Sequence, residues 1–224
     1  MFSGLWPGFD QADVPITSVT NGVHAPTWTD PLLLALSQEK LGTSDTTAAH
    51  WAGDAVTDAD LWSVRNRMRA NLVADARRRV TAAWHEQSPG ASAPAWFGEL
   101  LDPDVLTIGF ARRVPTYKRL TLMLQDEERL IALLTHRKRP VQLVIAGKSH
   151  PADDEGKALI QKLVRFAQDP ELRRRIVFLP NYDIAMAQVL YPGTDVWLNN
   201  PLRPLEACGT SGMKAALNLS LIHI

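Results

Sequence analysis

The feature that most constrains this fold is an alternation in the second half of the chain. Apolar, β-capable runs occur at VLTIGFA (105–111), VQLVIAG (141–147), RIVFLPN (175–181) and DVWLNN (195–200). Between them lie segments with helical periodicity, predicting helices over 120–136, 156–168 and 183–190. A further helix is expected to begin within PLEACGTSGMKAAL (204–217). Strands joined by helical crossovers build a parallel sheet covered on both faces. The expected class is therefore α/β, with a doubly wound parallel sheet. Ligands in such sheets sit beyond the carboxyl ends of the strands. Arg112, Arg113, Lys148, Asn181, Tyr182, Asn199 and Asn200 all fall at those ends.

The first half reads differently. Residues 1–55 are irregular and broken by Pro7, Pro15, Pro26 and Pro31, with one short strand expected at 16–19 and a helix end and loop over 37–46. From Asp58 to Gln87, apolar residues recur mostly at spacings of three and four: Leu61, Val64, Met68, Leu72, Val73, Ala76, Val80 and Trp84. That pattern predicts one long amphipathic helix. Its arginines interleave with Asp58, Asp60, Asp75 and Glu86, so the expectation is a solvated outer face, not a nucleic-acid patch. SPGASAP (88–94) has linker composition. The expected division is 1–94, then a domain over 95–218.

Composition excludes several classes. Lys plus Arg equals Asp plus Glu, giving a formal net charge of zero, which argues against a dedicated nucleic-acid binder. Cys208 is the single cysteine, so no intrachain disulfide can form. No apolar run reaches the ~18 residues of a membrane-spanning helix. The opening MFSGLWPGFDQ lacks the basic start and long apolar stretch of a signal peptide. The expectation is a cytoplasmic protein with no membrane partner. No grouping suggests a metal site.

Two stretches carry chemistry. ARRVPTYKRL sets Arg112, Arg113, Lys118 and Arg119 within eight residues, immediately after the first strand of the sheet. Guanidinium forks and ammonium groups at a strand end suit phosphate, so an anion pocket is preferred over a plain basic loop. In PLEACGTSGMKAAL, glycines and hydroxyls precede a helix, where unpaired backbone amides can meet an anion. Lys214 inside that helix could hold a phosphate, condense with an aldehyde, or simply face water. From the residues alone, the reading stops at a phosphate-handling α/β enzyme.

TNGVHAPTW, FARRVPTYKR, AGKSHP, NYDIAMAQVLYPGTDVWLNNP and EACGTSGMKAALN together resemble the α-glucan (glycogen or maltodextrin) phosphorylases, in the same order from about residue 1 to 218. The resemblance implies a two-domain, GT-B-like glycosyltransferase architecture. Here it would comprise the end of an N-terminal domain and most of the first part of a domain that binds pyridoxal 5′-phosphate. It also implies reversible phosphorolysis of α-1,4-glucan ends to α-glucose 1-phosphate, with the cofactor's 5′-phosphate assisting proton transfer. Lys214 matches the lysine that carries the cofactor. Gly209 and Thr210 match the helix start that holds its phosphate, and Lys118 a lysine beside it. Tyr182 and Trp28 match residues lining the cofactor ring. Arg113 matches the arginine that binds the substrate phosphate, and Arg112 stands where many members carry lysine. Glu206 matches a glutamate that hydrogen-bonds the sugar, and Asn21 an asparagine near it. Cys208 stands where others carry serine and reads as a packing residue. Partners implied are the glucan, inorganic phosphate and glucose 1-phosphate, with a homodimer as the full-length enzyme.

Two other readings are weighed against this one. A retaining transferase that uses a nucleotide sugar would place a second glutamate eight positions after Glu206, where this chain has Lys214. A non-catalytic glucan-binding fragment is the other, because family members are several times longer. The chain lacks the family's glycine loop and sugar-contacting histidine. The terminal LSLIHI (219–224) resembles a translated sequencing adapter and is expected to add nothing to the fold. The 224-residue chain alone is accordingly expected to be inactive.

Overall fold

A computed structural model describes residues 3–10, 12–47, 49–113, 119, 121–149, 151–202, 205–206 and 208–223. Five parallel strands form its sheet: β1 (Leu106–Arg113), β2 (Val141–Lys148), β3 (Ile176–Pro180), β4 (Val196–Leu198) and β5 (Leu221–His223). Their spatial order is β3-β2-β1-β4-β5. The chain builds outward from β1 in one direction, then returns to β1's other side with β4. The switch point lies between β1 and β4, where crevices open in doubly wound sheets. The expected α/β class is what the structure shows.

Both faces of the sheet are covered. Phe110, Leu143, Ile145 and Ile176 pack with Leu130 and Leu134 of α4 (Glu127–Leu134) and Leu163 of α5 (Asp154–Ala167). Ala111, Val144, Ala146 and Val177 face the other way. They pack with Leu72, Val73 and Ala76 of α3 (Asp58–Gln87) and with Met186, Ala187, Leu190 and Tyr191 of α6 (Ile184–Gly193). Residues 142–147 of β2 are all buried, which is why that strand reads as a continuous apolar run. Upstream, α2 (Pro31–Leu41) lays Leu33 and Leu36 against Val64 and Met68 of α3.

The long helix has the boundaries its periodicity predicts. Thr57 accepts a hydrogen bond from the Asp60 amide, and Asp60 accepts one from the Thr57 amide, closing a capping box. Its arginine face is a correction. Arg65 and Arg69 are buried. Arg65 Nη2 reaches Asp195 Oδ1 at 3.0 Å and Thr194 O at 2.7 Å, and Nη1 donates to Pro192 O. Arg69 Nε and Nη2 bond the two Asp195 oxygens at 2.9 and 2.8 Å. The Thr107 amide adds a bond to Asp195 Oδ2 at 2.8 Å. Arg77 donates to Leu100 O and Leu101 O at 2.9 and 2.8 Å. Only part of the arginine set faces water, Arg78 among it. Helical periodicity marks which face a residue occupies, but not whether a charged side chain on it finds a buried partner.

Three further differences follow from local chemistry. No strand forms at 16–19, where Val19 is fully exposed, because a strand needs an edge to pair with. The helix expected over 120–136 is divided into a 3₁₀ turn, Leu122–Gln125, and α4. Asp126 leaves helical geometry and caps α4 by accepting from the Arg129 amide at 3.0 Å. The terminal residues do join the fold: Leu221 to His223 pair in parallel with Val196 to Leu198. A short apolar segment beside an open strand edge satisfies both backbones by pairing. Among the described residues, no helix is long and apolar enough to cross a membrane.

Close approach of α3 and α6 requires glycine at 193. A Cβ there would lie 2.2 Å from the Leu72 Cβ, which cannot swing away.

Asp195 controls stability through charge. Burial pushes its carboxyl up, but hydrogen bonds from Arg69, the Thr107 amide and Arg65 outweigh this and hold it below the usual carboxylate range. A depressed folded pKa adds stability above the unfolded pKa of about 4, lost as pH falls through the folded value. Asp195→Asn should therefore cost roughly 3 kcal/mol at neutral pH. In urea melts its stability should also fall less steeply with acid than the wild type's. Equal slopes below about pH 4 would contradict that assignment.

Candidate functional site: the carboxyl edge around Lys214

All strands run parallel, so their carboxyl ends share one edge. There β3 ends at Pro180, and Asn181 (φ 59°) turns the chain outward. Asparagine tolerates this left-handed geometry better than most residues. Tyr182 follows, and Asp183 caps α6 by accepting from the Met186 amide at 2.7 Å. At the end of β4, Asn199 is buried, and its Oδ1 has no partner among the described residues. The backbone of Arg112 and Arg113 completes β1; Lys118 lies outside the described residues, as do the side chains of both arginines. Arg119 is described: its Nε donates to Asn200 O at 2.9 Å, tying the loop after β1 to the loop after β4.

The short helix α7 (Thr210–Ala216) starts at Gly209, which has no side chain with which to cap its first amides. A Cβ at Gly209 would meet Asn199 Nδ2 at 2.7 Å, so the helix start rests directly on the end of β4. Lys214 projects from α7 toward α1 (Ala25–Trp28). Its Nζ stands 3.7 Å from the centroid of the Trp28 indole and 5.6 Å from that of Tyr191. The Tyr191 ring meets Trp28 edge-on at 5.8 Å, and its hydroxyl lies 2.8 Å from the Tyr182 hydroxyl. The Lys214 amine thus lies against two aromatic rings, one from α1 and one from α6, with Tyr182 bonded behind Tyr191.

Burial alone pulls the Lys214 amine below the ordinary lysine pKa. A larger neutral fraction makes it a better nucleophile toward a carbonyl. The indole face offers partial compensation while the amine is charged.

The structure sets Lys214 against Trp28, places Gly209 and Thr210 at the start of the same helix, and links Tyr182 to Trp28 through Tyr191. Asn21 is near as backbone: Cys208 Sγ lies 3.7 Å from Asn21 O, and Thr20 Oγ1 is 3.9 Å from the same sulfur. The Asn21 side chain is exposed, and Glu206 is half-buried in the loop before α7. Sequence reasoning missed Tyr191 and Asn218. Tyr191 sits in an apolar helical run and reads as core. Asn218 is an asparagine one helical turn beyond Lys214, and that spacing was the available signal.

Comparison with known proteins gives the class. A family model described as carbohydrate phosphorylase matches residues 16–223, and the chain belongs to that family. It is 58% identical over 220 residues to a glycogen phosphorylase of Mycobacterium tuberculosis, covering 97% of this chain and 26% of the relative. A glycogen phosphorylase of Aquifex aeolicus is 43% identical over 96% of this chain and 32% of its own length. A maltodextrin phosphorylase of Thermococcus litoralis is 37% identical over 97% of this chain and 26% of its own. The chain thus spans about a quarter to a third of the length of these curated relatives.

Gly209→Ala tests the packing of α7. With Asn199 buried and short, the added methyl should cost about 1–2 kcal/mol, read as a lowered midpoint in urea. A neutral substitution would show that α7 does not rest on β4.

Proposed function

We propose that this chain carries the cofactor anchor of an α-glucan phosphorylase, a cytoplasmic enzyme that is homodimeric at full length. The reaction is reversible phosphorolysis of α-1,4-glucan ends to α-glucose 1-phosphate. One observation carries the reading: Lys214, its amine pKa lowered by burial, is held over Trp28 on the helix that follows β4. The residues present fit pyridoxal 5′-phosphate. An amine with lowered pKa can hold its aldehyde, aromatic faces can flank its ring, and uncapped amides at the start of α7 can meet its phosphate. When bound, the cofactor supplies a phosphate whose second pKa near ~6 allows proton exchange at neutral pH.

The chain's own residues do the rest. Lys214 fixes the cofactor's position, and Tyr182 and Trp28 set its plane. Gly209 and Thr210 present amides to its phosphate. Arg113 and Lys118 neutralise two phosphates brought close together, which would otherwise repel; Arg112 adds to that field. Glu206 and Asn21 hold sugar hydroxyls. In the phosphorolysis direction, the bond from the sugar's anomeric carbon to the glycosidic oxygen breaks. A bond from that carbon to a phosphate oxygen forms, and the substrate phosphate's proton passes to the departing oxygen. Positive character at the anomeric carbon is stabilised by the nearby anion, so no carboxylate pair is needed, unlike a glycoside hydrolase. The domain boundary near residue 94 belongs to the same proposal.

The test is chemical. The purified chain is mixed with pyridoxal phosphate, reduced with borohydride and mapped by peptide mass spectrometry. Label should concentrate on Lys214 and vanish in Lys214→Ala. Label spread evenly over Lys40, Lys138, Lys148 and Lys157 would overturn the anchor assignment.

A further inference from the structure

Asn218 is fully buried, at 0% exposure. Its side chain bonds the backbone of two segments far apart in sequence. Nδ2 donates to Lys214 O at 2.8 Å and to Trp28 O at 2.7 Å. Oδ1 accepts from the Asp30 amide at 2.8 Å. Both amide protons and one oxygen lone pair are therefore used. The Asn218 carbonyl accepts from Arg65 Nη1 at 2.9 Å, which ties the same residue to α3 and, through that guanidinium, to Asp195.

The geometry has a particular outcome. Lys214 O belongs to the last turn of α7, where helical carbonyls lack partners within the helix. Trp28 O and the Asp30 amide flank the end of α1. One planar group thus grips the backbone of both residues whose side chains meet as amine over indole. No charged group of Asn218 approaches the amine, so its influence on the amine runs through the positions of the two backbones.

We propose that Asn218 is a positioning residue that sets Lys214 Nζ over the Trp28 ring by holding both backbones with a single buried carboxamide. Its bearing on catalysis rests on the cofactor reading above; the geometric claim stands apart from it. Asparagine suits this place because it both donates and accepts. Aspartate has nearly the same shape but cannot donate when ionised, and would set its charge against two carbonyl oxygens.

The test reads the amine directly, without cofactor. Lysines of the full chain are reductively methylated with ¹³C-formaldehyde, and the dimethylamine signals are recorded by NMR. A group over an indole face is shielded, so the Lys214 signal should lie upfield of exposed Lys157. Trp28→Leu should abolish that displacement, which assigns its source. In Asn218→Asp the Lys214 signal should move to the Lys157 position while Lys157 stays put. A lowered Tm with the Lys214 signal still displaced as in the wild type would overturn the proposal, since Asn218 would then only stabilise α7.

If Asn218→Asp does not unfold cooperatively, the wild type decides. The Asn218 side-chain amide protons should exchange at least about tenfold more slowly than those of exposed Asn71, as expected for bonds worth about 1.4 kcal/mol. Equal rates would overturn the proposal. The cofactor reading fails separately: a displaced Lys214 signal in a chain that takes no pyridoxal label at Lys214 would sink that reading and leave the positioning role intact.

Discussion

Asp195 stands where α6 hands the chain to β4, and its carboxylate is gripped by Arg69 from 126 residues earlier and by Arg65 beside it. Much of the rest depends on that junction. A buried ion pair gains little net stability, because desolvating the charges offsets most of their attraction. What it contributes is place. Arg65 also donates to Pro192 O, Thr194 O and Asn218 O, and Arg69 to Pro103 O. The end of α6, the start of β4 and the end of α7 are thereby fixed to a single helix. The same network supplies partners for backbone carbonyls that would otherwise be buried unpaired.

The site inherits its geometry from this scaffold. A parallel sheet collects all its carboxyl ends at one edge, and the strand order puts its switch point between β1 and β4. Beyond β4 the chain forms α7, which carries Lys214, while α1 and α6 supply the rings against its amine. The amine's environment is a balance. Burial disfavours its charge, and the indole face partly restores it. An amine poised in this way suits reversible condensation with an aldehyde better than a solvated lysine does.

Much of the architecture was legible in the chain. The runs that became β1 to β4 are continuous apolar segments because both faces are covered, and such runs survive in sequence. The span of α3 was legible through its period and its Thr57–Asp60 cap. The break at Asp126 was not, because a cap residue inside an apolar period is visible only when the backbone leaves the helix. Nor was β5, whose pairing depends on an open edge of β4. For the site, Trp28, Tyr182, Gly209, Thr210 and Lys214 could be named from motif resemblance, and the structure sets Lys214 against Trp28 on the helix that Gly209 and Thr210 begin. Tyr191 could not, since an aromatic in an apolar helix reads as core, and Asn218 offered only its spacing one turn beyond Lys214, which does not reveal its backbone partners.

By itself, then, the sequence determined the class of fold and the order of its strands and helices, and it marked out Lys214 as the candidate anchor. These rest on local properties: hydrophobic period, cap chemistry and motif spacing. Tertiary structure decided which arginines of α3 are buried, what holds β4 in place and which rings enclose the amine. Those outcomes depend on contacts between residues some 120 to 190 positions apart, such as Arg65 with Asp195 and Trp28 with Asn218. Side chains of the same type look alike in sequence. Only the partner that folding brings to each one separates a solvated arginine from a buried clamp, or a spare asparagine from the group that seats a lysine.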